Sequence, residues 1–172
     1  MERNSKGWSL CGFLFVSAMG TALHFLYEWS GGNTFAALVS GVNESVWEHM
    51  KLLFVPLLLW TLLFGKGNFA AGAVSTLAGL LLIPTVYYTY TGALGFRSAF
   101  VDIALFYVAA AVVFLLQWRL LRAGRLSKPW QQWRGLAVLA ALAAAFVWCT
   151  FRPPHLPLWQ DPVTKLYGVA PQ

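Results

Sequence analysis

Apolar residues in this chain fall into runs broken by short polar or Gly/Pro-containing links, covering roughly residues 8–27, 49–64, 69–90, 99–118 and 135–151. About 20 apolar residues cross a bilayer as a helix, so each run predicts a transmembrane span, the last near the minimum length. The second span starts at His49, or as early as Glu44 if Asn43 caps it. Ser30-Gly31-Gly32-Asn33 is a turn signal. Thr34 to Val39 is too short to cross and reads as an interfacial or re-entrant helical turn. Gly65-Lys66-Gly67-Asn68 makes a tight link. Pro153, Pro154, Pro157 and Pro162 exclude a continued helix, so residues 152–172 are expected to form a structured tail folded over the helix ends. The predicted fold is an all-α membrane protein. Residues 1–172 make a single transmembrane domain with about five transmembrane helices and one short interfacial or re-entrant helix.

Composition agrees. The chain is 59% hydrophobic and 10% charged, where a soluble domain carries about 25% charged residues. The first run continues past Gly20 through Phe25, Leu26 and Tyr27, longer than the apolar core of a signal peptide, which favours a retained helix. Cys11 and Cys149 lie inside apolar segments and read as small buried hydrophobes, with no disulfide implied.

The net charge of +6 does not point to nucleic acid, because the bases form no patch with interleaved aromatics. Arg119, Arg122, Arg125, Lys128 and Arg134 crowd one link, which is a topology signal. With the N-terminus inside, Arg3, Lys6, Lys66 and those five bases face the cytoplasm. Lys51, Arg97, Arg152 and Lys165 face outward. Eight bases against four predict a multi-pass cell-membrane protein with a cytoplasmic N-terminus and an extracytoplasmic C-terminus.

That topology gives the polar residues their meaning. The six acids and three histidines are costly in a membrane unless partnered. All except Glu2 are expected at the outer face. His24 and Glu28 share one helix face at i,i+4, and Ser17, Gly20 and Thr21 continue that face inward. Glu44 and Glu48 repeat the spacing, with His49 adjacent. Imidazole and carboxylate groups from several helices suit zinc, iron or manganese. The metal-ligand candidates are His24, Glu28, His49, His155 and Asp102, with Asp102 also suited to orient another ligand. Glu48, Glu44 and Asp161 are the candidate catalytic carboxylates, as further ligands or a general base.

Bland roles compete with these. Glu44 suits a first helical turn, Glu48 can pair with Lys51 at i,i+3, and Glu28 can be interfacial beside Trp29. His24 lies a turn inside the boundary, and Glu28 or Glu48 is its expected partner. Glu44-x-x-x-Glu48-His49 lacks the spacing of the zincin motifs. Gly72, Ser75, Thr76 and Gly79 make a helix-packing stripe. Tyr87, Tyr88 and Tyr90 belong to an outer aromatic belt, from which a hydroxyl can reach the polar site. Arg97 and Arg152 lie near the outer boundary, where either snorkels or holds an anionic headgroup.

Three strings carry a resemblance: His24-Phe25-Leu26-Tyr27-Glu28-Trp29, Asn43-Glu44-Ser45-Val46-Trp47-Glu48-His49-Met50-Lys51 and His155-Leu156-Pro157-Leu158-Trp159-Gln160-Asp161-Pro162. They resemble an uncharacterised family of small bacterial integral membrane proteins, a domain of unknown function. The resemblance implies a membrane fold and no particular activity.

The reading favoured by the residues is a membrane protein with a divalent-metal site at its outer face, hydrolysing a lipid or headgroup. Its partners are the bilayer and a lipid or small-molecule ligand of the outer leaflet. The alternative is a binding or transport module using the same carboxylates and histidines as a proton or cation site. Polar groups dwindle from Ser17, Thr21, Ser75 and Thr76 to Gln117, which argues against a through-pathway. A third reading is a structural subunit whose polar cluster locks the helix ends.

Overall fold

The computed structural model describes residues 5–169. Its helices are α1 (Lys6–Trp29), α2 (Thr34–Val39), α3 (Val46–Phe64), α4 (Phe69–Tyr88), α5 (Ala99–Arg122) and α6 (Pro129–Phe151). A π-helical turn, Thr89–Ala93, prolongs α4, and a 3₁₀ turn, Pro157–Trp159, lies in the tail. Five helices are long and apolar enough to cross a membrane: α1, α3, α4 with its π turn, α5 and α6. The six-residue α2 stands where the short apolar piece was expected. Gly31 and Gly32 lead into it with φ of +68° and +80°, a region open to glycine at little cost.

Local chemistry moves several helix ends. Ser5 caps α1 by accepting the Trp8 N–H at 3.2 Å, so the helix starts before Trp8. The five-base link is much shorter than the sequence suggests. Arg119 and Arg122 end α5, where cations suit the helix dipole, and Arg134 lies inside α6, which opens on Pro129. Arg3 and Glu2 lie outside the described residues, as do tail residues 170–172.

The start of α3 departs most from expectation. Ser45 is its cap, accepting the Glu48 N–H at 3.3 Å. Asn43 instead accepts the Ser45 N–H at 2.9 Å and donates its amide to the Gly168 carbonyl at 2.9 Å. Glu44 therefore sits in a loop, outside the helix.

The long helices alternate in direction, with α4 packed on α5, α6 and α3, and α1 packed on α3 and α5. Gly79 marks a close crossing of α4 and α5, since a Cβ there would lie 2.4 Å from Val113 Cγ2 and 3.4 Å from the Ala109 carbonyl oxygen. The core includes Leu53, Phe54, Leu57, Val113, Leu139 and Phe146. Large apolar side chains also cover the outside, among them Phe100, Ile103, Val108 and Leu115 of α5. A bilayer as solvent explains that surface, which water would not. Cys11 is exposed and Cys149 half-buried, so neither is the buried hydrophobe expected. The end of α1 and the starts of α3 and α5 meet at one pole of the bundle, with the ends of α4 and α6.

Candidate functional site

At that pole α1, the loop before α3, and α3 itself bring three side chains together. His24 and His49 stand with ring centroids 5.4 Å apart. Glu44 reaches between them, with Oε1 3.9 Å from His24 Nε2 and Oε2 3.5 Å from His49 Nε2. One ligand atom from each residue lies within 4.8 Å of the others, so the three can hold a metal ion.

His49 Nδ1 lies 3.0 Å from the Ser45 carbonyl oxygen. A carbonyl oxygen only accepts, so Nδ1 carries the proton. In the neutral ring Nε2 is then a bare lone pair facing a carboxylate. A cation between them, or a second proton on the ring, removes that repulsion. Two imidazoles and a carboxylate, one ring oriented by a backbone carbonyl, match the donors of three-ligand metal sites that leave a fourth position open.

The set faces a cavity of about 370 Å³ whose wall also includes Tyr87, Arg97 and Asp102. A second cavity, about 240 Å³, lies beside it between α1, α3 and α5 and shares His24, His49, Asp102, Ile103 and Phe106.

Asp102 lines both cavities but stands outside the three-residue group. It lies in the first turn of α5, and its Oδ1 accepts the hydroxyl of Tyr90. Tyr90 comes from the π turn, which directs its buried ring inward. Of the tyrosines from which a hydroxyl was expected to reach the polar site, Tyr90 does so through Asp102, while Tyr87 lines the cavity.

The structure places the other sequence-predicted residues elsewhere. Glu28 is exposed one turn from His24, outside the group, and His24 meets Glu44 in place of the expected Glu28 or Glu48. His155 is exposed, stacked on Tyr167 at 4.7 Å, and does not join the other histidines.

Glu48 points away from the histidines and into the bundle, where its Oε2 pairs with Lys51 Nζ at 2.6 Å. Lys51 is wholly buried, not at an outer boundary, and also donates to the Ala37 carbonyl and to Thr150 Oγ1, at 2.9 and 2.8 Å. Glu48 Oε2 accepts the Val42 N–H at 3.2 Å as well. This fully bonded pair ties α2, α3, α6 and the 40–45 loop together. Removing either partner would strand a charge in an apolar interior.

Asp161 is buried and spends its carboxylate on main-chain N–H groups. Oδ1 accepts from Val163 and Thr164 at 2.7 and 3.1 Å, and Oδ2 accepts from Glu44 at 3.4 Å. Burial alone would raise its pKa. The hydrogen bonds from Val163, Thr164 and Glu44 outweigh burial and hold it below the ordinary aspartate value. The tail segment is further anchored by Trp159 against Trp47, at 5.0 Å.

Sequence reasoning missed that Asp161 holds the backbone of Glu44, and that Ser45 orients His49. Asp161-Pro162-Val163-Thr164 does carry the signature of an Asx turn, which would have found half of the first relationship.

No curated protein and no solved structure matches this chain. A family profile does, over residues 1–169, and the chain belongs to that family of unknown function, DUF6512.

Proposed function

We propose that this is a multi-pass membrane protein that binds a divalent metal through His24, Glu44 and His49, and uses it to hydrolyse a lipid or headgroup. The observation that carries the reading is the mutual approach of three ligand atoms within 4.8 Å, from two helices and a loop, on the wall of a cavity. The excess of bases at the opposite pole supports a cytoplasmic N-terminus, with the site in the outer leaflet.

A metal held by His24, Glu44 and His49 would polarise an ester or phosphoryl oxygen and lower the pKa of water. Asp102 is the carboxylate suited to the proton work. Tyr90 fixes one of its oxygens, and the other accepts no hydrogen bond among the described residues. Water adds its oxygen to the carbonyl carbon or phosphorus while Asp102 takes a proton. The bond to the leaving oxygen then breaks, and Asp102 returns that proton to it. Glu44 serves as a ligand, while Glu48 and Asp161 serve as supports.

The test is elemental analysis of the purified protein, alongside His24→Ala, His49→Ala and Glu44→Gln. About one zinc, iron or manganese per chain is expected in the parent, and far less in each variant. A metal-free parent, with added-metal binding unchanged in the three variants, would overturn the proposal.

A second reading, proton or cation passage, draws on Ser17 Oγ and Gln117 Nε2, which are buried without partners among the described residues. Against it, Leu53, Leu57 and Val113 close the interior below the site.

A further inference from the structure

The two cavities at the site differ in chemistry, and together they describe one kind of molecule. The larger carries the ligand set together with Arg97 and Tyr87. Arg97 is exposed on the loop before α5, and no ion pair with it occurs among the described residues. Its guanidinium interacts electrostatically with Tyr87 and Tyr90 and pairs with no carboxylate among the described residues, so it can take an anion, with the planar fork that fits phosphate or carboxylate.

The smaller cavity presents a mainly apolar surface. Beyond the shared His24, His49 and Asp102, Gly20, Phe25, Leu52, Phe106 and Tyr107 line it, and among the described residues a hydrogen bond between Thr21 Oγ1 and Tyr107 Oη, at 3.1 Å, lies at its wall. Its mouth lies on the α1–α5 seam, where Phe25 and Ile103 are 41% and 59% exposed. In a bilayer that seam faces acyl chains. Gly20 keeps the slot narrow and its wall smooth, since a Cβ there would lie 2.5 Å from the Phe106 ring and 2.8 Å from the Leu52 carbonyl oxygen.

We infer that the ligand is an anionic membrane amphiphile that enters sideways between α1 and α5. Its headgroup sits on Arg97 beside the His24–Glu44–His49 set, and the first part of its chain lies in the slot behind Ile103 and Phe106. A soluble anion would use the first chamber and leave the slot without purpose. A neutral lipid would use the slot and give the Arg97 guanidinium no anion. The inference rests on the proposed metal site for its chemistry, but its binding is read apart from the metal.

Native mass spectrometry of the full chain in detergent, with metal content measured in parallel, tests it. The probes are dioctanoyl phosphatidic acid, glycerol phosphate and dioctanoylglycerol. The first is expected to bind at least about tenfold more tightly than dioctanoylglycerol, the size of one charge-assisted contact, and at least about tenfold more tightly than glycerol phosphate, which has no chain to bury in the slot. Arg97→Ala should remove about that factor for the anionic lipid and leave dioctanoylglycerol unchanged. Ile103→Trp, at a lipid-facing position that tolerates a large side chain, should fill the slot and reduce the anionic lipid to the level of glycerol phosphate. Equal binding of all three probes, or binding of the anionic lipid untouched by both variants while metal is retained, would overturn the amphiphile and leave the metal site standing. Metal absent from the parent, with Arg97-dependent lipid binding intact, would uphold the amphiphile and overturn only the metal reading.

Discussion

Asp161 holds Glu44 by its main chain. The aspartate Oδ2 accepts the Glu44 N–H at 3.4 Å across 117 residues of sequence, while the Glu44 carboxylate lies 3.5 Å from His49. The proposed ligand is thus supported through the backbone by a tail segment that adds no residue to the three-residue group. A ligand on a loop needs such support, because no helix fixes its direction.

Asp161→Asn is therefore expected to weaken metal binding by about 10–100-fold, the usual cost of losing an outer support. Asparagine keeps one acceptor oxygen but turns an NH₂ toward either Glu44 or the Val163 and Thr164 pair. Chelator competition on parent and variant measures the change. Equal affinities would detach the tail from the site.

The same residue sets a pH dependence. Its carboxyl is held below the ordinary aspartate value in the folded chain, first against burial and then by the N–H groups of Val163, Thr164 and Glu44. The unfolded pKa, about 3.9, is the higher of the two. Its stabilising contribution is therefore complete above about pH 5 and is lost as pH falls through the folded value. Proteolysis of the 153–169 segment, followed between pH 7 and pH 3, should accelerate only at the acid end. The difference between parent and Asp161→Asn should vanish there. A difference that stays constant across the range would count against this linkage.

Glu48→Gln or Lys51→Met alone should destabilise the protein by about 3–5 kcal/mol, because each leaves a buried charge without its partner. The double variant Glu48→Gln/Lys51→Met should recover much of that loss. Unfolding in detergent and denaturant reports it. If the single variants unfold like the parent, the pair is not the tie described above.

Asp102→Asn separates a ligand from a base. Metal content should stay at the parent level, since Asp102 lies outside the three-residue group, while any hydrolysis of the anionic lipid is lost. A fall in metal content would instead place Asp102 among the ligands.

Much of the fold was legible because an apolar run long enough to cross a bilayer is one strong signal, and all five long helices carry it. The short α2 and the turn before it were legible from Ser30-Gly31-Gly32-Asn33. Helix ends were less so. Lys51 looked like a boundary base, yet Glu48, Thr150 and the Ala37 carbonyl let it sit wholly inside.

At the site, i,i+4 spacing suggested Glu28 for His24, but spacing along one helix says nothing of a loop 16 residues later that enters from the side. Glu44 and His49 were legible as chemistry, and their meeting with His24 followed from topology. His155 shared their pole without sharing their position, because its ring stacks on Tyr167.

The tie from the tail back to Glu44 also carries a consequence in time. Helices α1 and α3 can pair as soon as both have left the ribosome, bringing His24 and His49 together. Asp161 and Gly168 emerge only after α6. Until they dock on Glu44 and Asn43, one ligand lacks its backbone anchor. On the proposed metal reading, tight loading is expected only once synthesis has passed α6, so a nascent chain carries both histidines early and a finished site late.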